Sequence, residues 1–382
     1  MIYLDNSATT FPKPKSVINA VSEAMQKYSA NPGRSGHNLS LKSAHQVFTC
    51  REAVCRLFNI DDESKVIFTS GCTQSLNTVI KGVLKPGDHC VISSLEHNSV
   101  LRPLEKLKSK NISYSVADVY PNDNDKTLDS FRQCINEKTK LIVCTHASNV
   151  FGIKLPVERI CALAHSYGIL FCLDAAQSAG VLKIDIGENY FDYVCCAGHK
   201  GLYGPMGVGL LIINTDCLPD TLFEGGTGSE SQNYSQPLFT PDRYESGTLN
   251  IPGICGLKKG VEFVLNRGLD TIFMHEMNLV RYLYGELNRN DKITLYTDMP
   301  SPFMSAPVLS FSVDNMNSEK VAAYLNKNNI AVRAGLHCSP LAHKYMGTID
   351  EGVVRISPSV FTTQNDIKTL VFALNKLKFM GY

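Results

Sequence analysis

The feature that most constrains the fold is a regular alternation of short apolar runs with helical patterns between residues 66 and 197. The apolar runs that we predict as strands lie near Val66–Thr69, Cys90–Ser93, Ile112–Val116, Leu141–Thr145, Leu170–Asp174 and Tyr193–Ala197. Helical patterns separate them near Thr73–Leu84, Val100–Ser109, Leu128–Asn136 and Val157–Tyr167. Strands and helices that alternate in this way form right-handed crossovers around a largely parallel sheet. The sequence therefore predicts an α/β fold whose ligand site lies at the carboxyl ends of the strands.

The pattern changes after the apolar run Val208–Ile213. A polar, glycine-rich region follows at Glu224–Asn250, and regions of this composition are usually linkers or lids over sites. The remaining predicted helices are Ser43–Phe58, Gly256–Leu265, Ile272–Leu287, Ser318–Asn328 and Asn365–Leu377, and the remaining strands lie near Val308–Val313 and Val353–Ser357. We predict a large domain at residues 16–255 and a smaller domain formed by residues 1–15 and 256–382.

Charge and cysteine content exclude several classes of function. The chain carries 37 basic and 36 acidic residues, and no basic run stands out, which argues against nucleic-acid and membrane-surface binding. Its 13 cysteines are scattered, without paired Cys-x-x-Cys motifs or histidines at zinc spacing, so neither a metal site nor a disulfide framework is predicted. They are typical of reduced thiols in a cytosol. Without a signal sequence or an apolar segment of membrane-spanning length, we expect a soluble cytoplasmic protein.

A lysine and an aspartate stand at the ends of two predicted strands, and this pair suggests covalent chemistry. The run Tyr193–Ala197 leads directly into Gly198-His199-Lys200 and a glycine-rich loop. A loop lysine is usually solvated, but one flanked by glycines and apolar strands can be desolvated, which lowers its pKa and makes the amine a nucleophile toward an aldehyde. Asp174 closes the preceding strand. This pair suits pyridoxal 5'-phosphate (PLP), which requires a lysine for its aldehyde and an aspartate for its pyridinium nitrogen.

Two further segments carry candidate functional groups. The turn Thr69–Gln74 joins a strand to a helix, so its amides and the Thr73 hydroxyl could bind an anion, although an ordinary helix N-cap has the same composition. Cys338 lies in a turn-prone segment, directly after His337 and five positions after Arg333. Basic neighbours favour the thiolate form of a cysteine. The alternative for Cys338, a small buried hydrophobic side chain, is the better interpretation of the other cysteines.

In order and spacing, these motifs resemble those of the cysteine desulfurase and selenocysteine lyase family of class V, fold type I PLP enzymes, and most closely its second desulfurase group. The resemblance extends from Tyr3–Thr10 to Arg355–Ser357 and so covers nearly the whole chain. It implies a large domain with a mostly parallel seven-stranded sheet flanked by helices, and a smaller α+β C-terminal domain. It also implies PLP as the cofactor and a homodimer as the functional unit.

By resemblance, the cofactor site is assembled from the loops at the strand ends. Thr73 and His199 would bind the phosphate, and His97 would stack on the pyridine ring. Asn149 and Gln177 would lie near the phenolic oxygen of the cofactor. The full set implied for the cofactor is Cys72, Thr73, His97, Asn149, Asp174, Gln177, His199, Lys200 and, reaching into the other subunit, Thr248.

Three positions depart from the family pattern. Cys72 stands where a threonine is common, and its thiol is a poorer hydrogen-bond donor. Ala197 stands where many relatives have serine or threonine, so a phosphate hydrogen bond worth on the order of 1 kcal/mol would be lost. Leu336 replaces a histidine that is often found in the Cys338 segment. The first two departures affect the expected affinity for the cofactor. The third affects proton transfer in the Cys338 segment.

The same resemblance implies a reaction. Arg355 would grip the carboxylate of L-cysteine by two parallel hydrogen bonds, with Asn149 beside it. Lys200 would hold the cofactor and then move protons. Cys338 would attack the substrate sulfur, which leaves L-alanine and a persulfide that passes to a sulfur-acceptor protein, for instance in iron–sulfur cluster assembly. The residues implied to be catalytic are Lys200, Cys338 and His97.

Three alternatives stay open on the sequence. A selenocysteine lyase, acting on L-selenocysteine, would share every PLP residue and would depend less on Cys338. A transaminase or another β-eliminating lyase would keep Lys200 and Asp174 but would not explain the Cys338 segment. A non-catalytic scaffold for sulfur-assembly partners predicts loss of the lysine, the aspartate or Arg355, and all three are present.

Overall fold

The computed structural model describes residues 1–32 and 36–377, and its centre is a seven-stranded sheet. The strands are β2 (Val66–Thr69), β3 (His89–Ser93), β4 (Ser113–Ala117), β5 (Thr139–Thr145), β6 (Leu170–Asp174), β7 (Tyr193–Ala197) and β8 (Gly209–Ile213), in the order β2-β8-β7-β6-β5-β3-β4. β8 is antiparallel to both of its neighbours, and the other pairings are parallel. The mostly parallel α/β sheet predicted from the sequence is confirmed.

Helices cover both faces of this sheet. They are α1 (Lys15–Lys27), α2 (Asn38–Phe58), α3 (Cys72–Val83), α4 (Asn98–Leu107), α5 (Asn124–Cys134), α6 (Val157–Ser166), α7 (Ile186–Asn189) and α8 (Ile251–Arg267), with 3-10 turns at Glu63–Lys65 and Lys108–Lys110. Side chains alternate between the faces along each strand. On β5, Leu141 and Val143 pack with α3 and α4, whereas Ile142 and Cys144 belong to the larger core on the opposite face. Burial on both faces explains why these strands are continuous apolar runs.

A second, four-stranded antiparallel sheet follows in the C-terminal part. Its strands are β9 (Ile293–Leu295), β10 (Leu309–Val313), β12 (Arg333–Gly335) and β13 (Val353–Ile356), in the order β12-β13-β10-β9, and its helices are α9 (Leu269–Leu287), α10 (Ser318–Lys327), α11 (Pro340–Tyr345) and α12 (Gln364–Leu377). This sheet has its own core, which includes Leu283, Phe311 and Leu370. The N-terminal strand β1 (Ile2–Tyr3) pairs in parallel with β11 (Ile330–Ala331), so the first residues join the C-terminal part. The domain limits given above stay a prediction, and residues 378–382 lie outside the described residues.

Several predicted helices were too short at their N-terminal ends, and the largest differences are in α2 and α8. Helix α2 begins at Asn38 rather than Ser43, because the His37 side chain accepts a hydrogen bond from the Ser40 amide and caps an earlier turn. Helix α8 begins at Ile251 rather than Gly256, because Asn250 accepts from the Gly253 amide and a proline stands in its first turn. Both caps lie inside polar stretches, which masked them in the hydrophobic pattern.

Three further features of the described residues concern membrane spans, metal ligands and cysteines. None of the helices among residues 1–32 and 36–377 is long and apolar enough to cross a membrane. Over the same residues, no group of three or more histidine, cysteine, aspartate or glutamate side chains is arranged to hold a metal ion. All thirteen cysteines are free thiols.

Candidate active site

A cleft of about 270 Å3 opens where β3, β5, β6 and β7 end. Its lining includes the predicted residues Cys72, Thr73, His97, Asn149, Asp174, Gln177, His199 and Lys200. These are all of the predicted cofactor residues except Thr248, which is exposed and lies outside the lining. Parallel strands bring their carboxyl ends to one edge, which explains why side chains from distant parts of the chain meet here.

The loop that presents Lys200 is shaped by close backbone contacts. A Cβ atom on Gly198, directly after β7, would lie 2.6 Å from the carbonyl oxygen of Val208. A Cβ atom on Gly209 would lie 2.5 Å from the Cα atom of Gly71. Only glycine permits approaches this close. The two glycines therefore let the Lys200 loop pack against the turn that begins α3.

Burial and charge set the reactivity of Lys200. Burial lowers the pKa of the Lys200 amine, and the carboxylate of Asp174 opposes this shift. The positive charges of Arg355 and Arg333 lower the pKa further, so both arginines act on the cleft. Asp174 is 3% exposed at the end of β6, and its Oδ1 atom accepts from the amide of Ala176 at 2.9 Å. A larger neutral fraction of the amine makes Lys200 a better nucleophile toward an aldehyde.

His97 is held as a neutral ring at the start of α4. Its Nδ1 atom accepts a hydrogen bond from the Ser99 amide at 3.1 Å and lies 2.8 Å from the Ser99 hydroxyl. Burial lowers the pKa of His97 to about 4, although the Asp174 carboxylate works in the opposite direction. Because the ring is neutral and Nδ1 is an acceptor, the proton resides on Nε2. A fixed, neutral ring is suited to lie against a flat aromatic group.

Two unpaired features of the cleft fit a phosphate group. Helix α3 begins at Cys72 without a side-chain cap, so its first amides are available to an anion. The Nδ1 atom of His199 is buried and has no hydrogen-bond partner, and burial lowers the pKa of this ring to about 4. A buried ring nitrogen without a partner indicates a ligand. Together with Lys200 and Asp174, these groups match the donors and charges that PLP requires.

The Cys72 thiol is directed toward Asp174, and its predicted contact with the cofactor stays a prediction. Its thiol lies 3.4 Å from Oδ1 of Asp174 and 3.4 Å from the carbonyl oxygen of Cys195, so it is directed into the sheet rather than toward an anion. Burial raises the pKa of this thiol well above its ordinary value, and the Asp174 carboxylate adds to the effect. Cys72 therefore lines the cleft as a neutral neighbour of Asp174. The sequence carried no signal for the direction of its side chain.

An N-terminal segment, residues 9–13, holds the backbone beside Lys200. The carbonyl oxygen of His199 accepts from the amide of Thr10 at 3.1 Å, from the hydroxyl of Thr9 at 3.1 Å and from Nζ of Lys13 at 2.7 Å. The Thr10 hydroxyl also donates to the carbonyl oxygen of Lys200 at 3.1 Å. Burial lowers the pKa of Lys13 to about 8. Sequence reasoning missed Lys13, because nothing in its local pattern distinguishes it from a surface lysine.

Cys338 lies on an exposed turn between β12 and α11. Both Cys338 (φ 59°) and the preceding His337 (φ 50°) have left-handed backbone conformations. Nη2 of Arg333 lies 3.7 Å from the Cys338 sulfur, as the sequence spacing suggested. The carbonyl oxygen of Cys338 accepts from the amide of Asn98 at 2.8 Å, directly after His97. The turn therefore docks against the helix that carries one wall of the cleft, although Cys338 itself is not part of the cleft lining.

Arg355 is placed beside Asn149 but is closed off from solvent. It is 1% exposed, and its Nη1 atom donates to the carbonyl oxygen of Asn149 at 2.9 Å. Its Nη2 atom donates to Oδ1 of Asp5 at 2.5 Å, whereas its Nε atom is buried without a partner. Asp5 was not predicted as a site residue, although it lies in the N-terminal motif that carried the resemblance. An unpaired guanidinium N–H next to Asn149 is suited to donate a hydrogen bond to one oxygen of a carboxylate.

Comparison with known proteins gives a consistent result. The model of the family "Aminotransferase class-V" matches residues 2–370. A protein of Methanothermobacter thermautotrophicus described as a probable cysteine desulfurase is 31% identical, over 100% of this chain and 95% of its own length. A probable cysteine desulfurase of Borreliella burgdorferi is also 31% identical, over 99% of this chain and 92% of its own length.

Solved structures are similar over the same extent. The apo structure of a cysteine desulfurase from Thermococcus onnurineus NA1 is 30% identical and superposes with a TM-score of 0.91, covering 98% of this chain and 94% of that one. The fold of the cysteine desulfurase CsdA from Escherichia coli is also alike, with a TM-score of 0.88 at 24% identity, covering 99% of this chain and 95% of that one. The similarity therefore includes both sheets and the connection between them.

Proposed function

Because the chain belongs to the class-V aminotransferase family, among its cysteine desulfurases, we propose that it is a PLP-dependent cysteine desulfurase. It would convert L-cysteine to L-alanine and capture the sulfur as a persulfide on Cys338. One observation carries this proposal. The turn that bears the exposed Cys338 thiol is hydrogen-bonded, through Asn98, to the same helix start that carries His97 in the cleft with Lys200.

The cofactor end of the cleft supports the first half of the reaction. When bound, PLP supplies an aldehyde for covalent attachment and a ring that accepts electrons from the substrate carbon. Lys200 would provide the neutral amine for that attachment and would also carry a proton at Nζ. Asp174 would stabilise the positive charge on the ring nitrogen, and the neutral ring of His97 would lie against one face of the cofactor. His199, Thr73 and the first amides of α3 would hold the phosphate, with Gln177 near the phenolic oxygen.

Two groups outside the cleft lining, Arg355 and Cys338, would serve substrate binding and sulfur removal. Arg355 offers its unpaired Nε–H to the substrate carboxylate, next to Asn149. The sulfur of Cys338, which lies 3.7 Å from Nη2 of Arg333, would attack the sulfur of L-cysteine as a thiolate, so that a sulfur–sulfur bond forms as the carbon–sulfur bond breaks. The electron pair of the broken bond stays with the carbon, which takes up a proton and leaves as L-alanine. The outer sulfur of the persulfide then passes to an acceptor thiol, for instance on a protein of iron–sulfur cluster assembly.

Three further parts of the proposal concern the assembly and its setting. A homodimer would bring the exposed Thr248 of one subunit to the cofactor phosphate of the other. A sulfur-acceptor protein would approach at the exposed Cys338 turn. A cytoplasmic, reducing compartment is supported by the thirteen free cysteines.

The direct test is alanine formation from L-cysteine by the PLP-loaded protein, compared between wild type and Cys338→Ser. We expect the wild type to form alanine and the variant to lose this activity, because serine cannot accept the sulfur. Release of pyruvate by both proteins would instead indicate a β-eliminating lyase. Equal alanine formation by both would contradict sulfur capture on Cys338.

A further inference from the structure

The side-chain amide of Asn149 is hydrogen-bonded to both residues that flank Cys338. Its Nδ2 atom donates to the carbonyl oxygen of His337 at 2.9 Å, and its Oδ1 atom accepts from the hydroxyl of Ser339 at 2.7 Å. Ser339 is fully buried, and Asn149 is 9% exposed at the lining of the cleft. One amide group thus connects the cleft to the two sides of the turn that bears the thiol.

The hydroxyl of Ser339 does not form the helix-capping hydrogen bond that is usual at its position. Ser339 is the N-cap residue of α11, with Pro340 in the first turn, and a serine at this position usually accepts a hydrogen bond from an amide of its own helix. No such cap bond forms, and the hydroxyl instead donates to Asn149, which lies 190 positions away in the sequence. The bond therefore connects the Cys338 turn to the loop after β5, and it does not cap α11.

The turn needs external support because its backbone conformation is unfavourable. His337 and Cys338 are consecutive non-glycine residues with positive φ angles, and each such residue costs about 1 kcal/mol or more. The turn is closed by a bond from the Ser339 amide to the carbonyl oxygen of Leu336 at 2.9 Å. The buried ring of His337 has its Nε2 atom 3.1 Å from the carbonyl oxygen of Val353. These bonds hold the turn together, whereas the bonds to Asn149 determine where it lies relative to the cleft.

We propose that Ser339 is a positioning residue, which together with Asn149 fixes the Cys338 turn against the cleft so that the thiol is aligned with the substrate sulfur. The inference rests on the proposed function and adds to it a residue that touches neither substrate nor cofactor. It also gives Asn149 a second role, because its side-chain amide both lines the cleft and is hydrogen-bonded to the Cys338 turn. The rate of the sulfur-accepting step thereby depends on the buried hydroxyl of Ser339, the residue directly after Cys338.

The first measurement is single-turnover persulfide formation by Ser339→Ala with L-cysteine, followed by mass spectrometry of the Cys338 peptide. We expect the rate of persulfide formation to fall about 10-fold, because small misplacements of a reacting group have effects of this size. The KM for L-cysteine and the visible absorption of the bound cofactor should stay unchanged, since Ser339 does not line the cleft. Ser339→Thr keeps a hydroxyl and should recover most of the rate.

Ser310→Ala is a matched control. Ser310 is 3% exposed and its hydroxyl donates to the carbonyl oxygen of Val150 at 2.6 Å, so this variant also loses a buried serine hydrogen bond to the segment around Asn149. It should lower thermal stability about as much as Ser339→Ala but leave the persulfide rate as in wild type. Equal loss of rate in both variants, or no loss in Ser339→Ala, would overturn the inference.

A second readout does not depend on the reaction. In cofactor-free protein, alkylation of Cys338 by iodoacetamide, resolved by peptide mass spectrometry, should be several-fold faster in Ser339→Ala than in wild type or Ser310→Ala, because the turn is released. If the wild type forms no persulfide, the proposed function fails while this comparison still decides the inference. Identical alkylation rates in the three proteins would contradict it.

Discussion

Lys200 and Cys338, the two proposed nucleophiles, lie in opposite environments. Lys200 follows a strand that is buried on both faces, and burial lowers the pKa of its amine. Cys338 is exposed on a turn, with the guanidinium of Arg333 beside it. The two environments differ because the two groups react in different protonation states. An amine attacks in its neutral form, which burial favours, whereas a thiol attacks as the charged thiolate, which burial suppresses.

The buried cysteines near Lys200 illustrate the same rule. Burial raises the pKa values of Cys72, Cys195 and Cys196 well above their ordinary range, and the nearby Asp174 carboxylate adds to this effect, so these thiols stay neutral. A sulfur-accepting thiol could not function in their place. We infer that the fold separates the two nucleophiles because one site cannot activate both.

Separate sites require separate supports. The backbone at Lys200 is held by residues 9–13, and the Cys338 turn is held by Asn149 and Ser339. Residues 9–13 lie far from Lys200 in the sequence, and Asn149 lies far from Cys338. Mutations can therefore weaken one nucleophile without touching the other, and the following predictions use this separation.

The largest effect is expected for Lys200→Ala. Alanine formation from L-cysteine should fall by more than about 10³-fold, because covalent attachment within the cleft is lost. The visible absorption that accompanies attachment of PLP to a lysine should disappear, as measured in an absorption spectrum after removal of free cofactor. Lys200→Arg serves as the control, since it keeps the positive charge but offers no amine nucleophile. A spectrum unchanged in Lys200→Ala would show that another lysine holds the cofactor.

A smaller effect is expected for Lys13→Met. The variant loses a charge-assisted hydrogen bond to the carbonyl oxygen of His199, and we expect the dissociation constant for PLP to rise about 5-fold, measured by absorption titration at pH 7. Because the pKa of Lys13 is lowered to about 8, the wild type loses this charge as the pH rises above 8. The difference in the PLP dissociation constant between wild type and variant should then become smaller.

Lys15→Met is the matched control for this prediction. Lys15 is exposed at the start of α1, two positions beyond Lys13, so the same charge is removed without the contact to the His199 backbone. The control should bind PLP as the wild type does. Equal weakening in both variants would indicate a general charge effect and would remove the specific role of Lys13.

Much of the site could be predicted because it depends on local patterns. Asp174 and Lys200 follow apolar runs that the sequence identifies as strands, and a parallel sheet brings such strand ends together. The bond between Asp5 and Arg355, in contrast, joins the first strand region to the last strand and has no local signal. Ser339 shows the same limitation, because only the packing of the Cys338 turn against Asn149 reveals the bond between the two side chains.

The most direct test of the two-nucleophile account is one turnover of the PLP-loaded protein with L-cysteine labelled at sulfur, followed by peptide mapping. The account predicts that the label appears on the Cys338 peptide in an amount equal to the alanine formed, with none on buried cysteines such as Cys72. Label on another cysteine, or alanine formed without protein-bound sulfur, would contradict it.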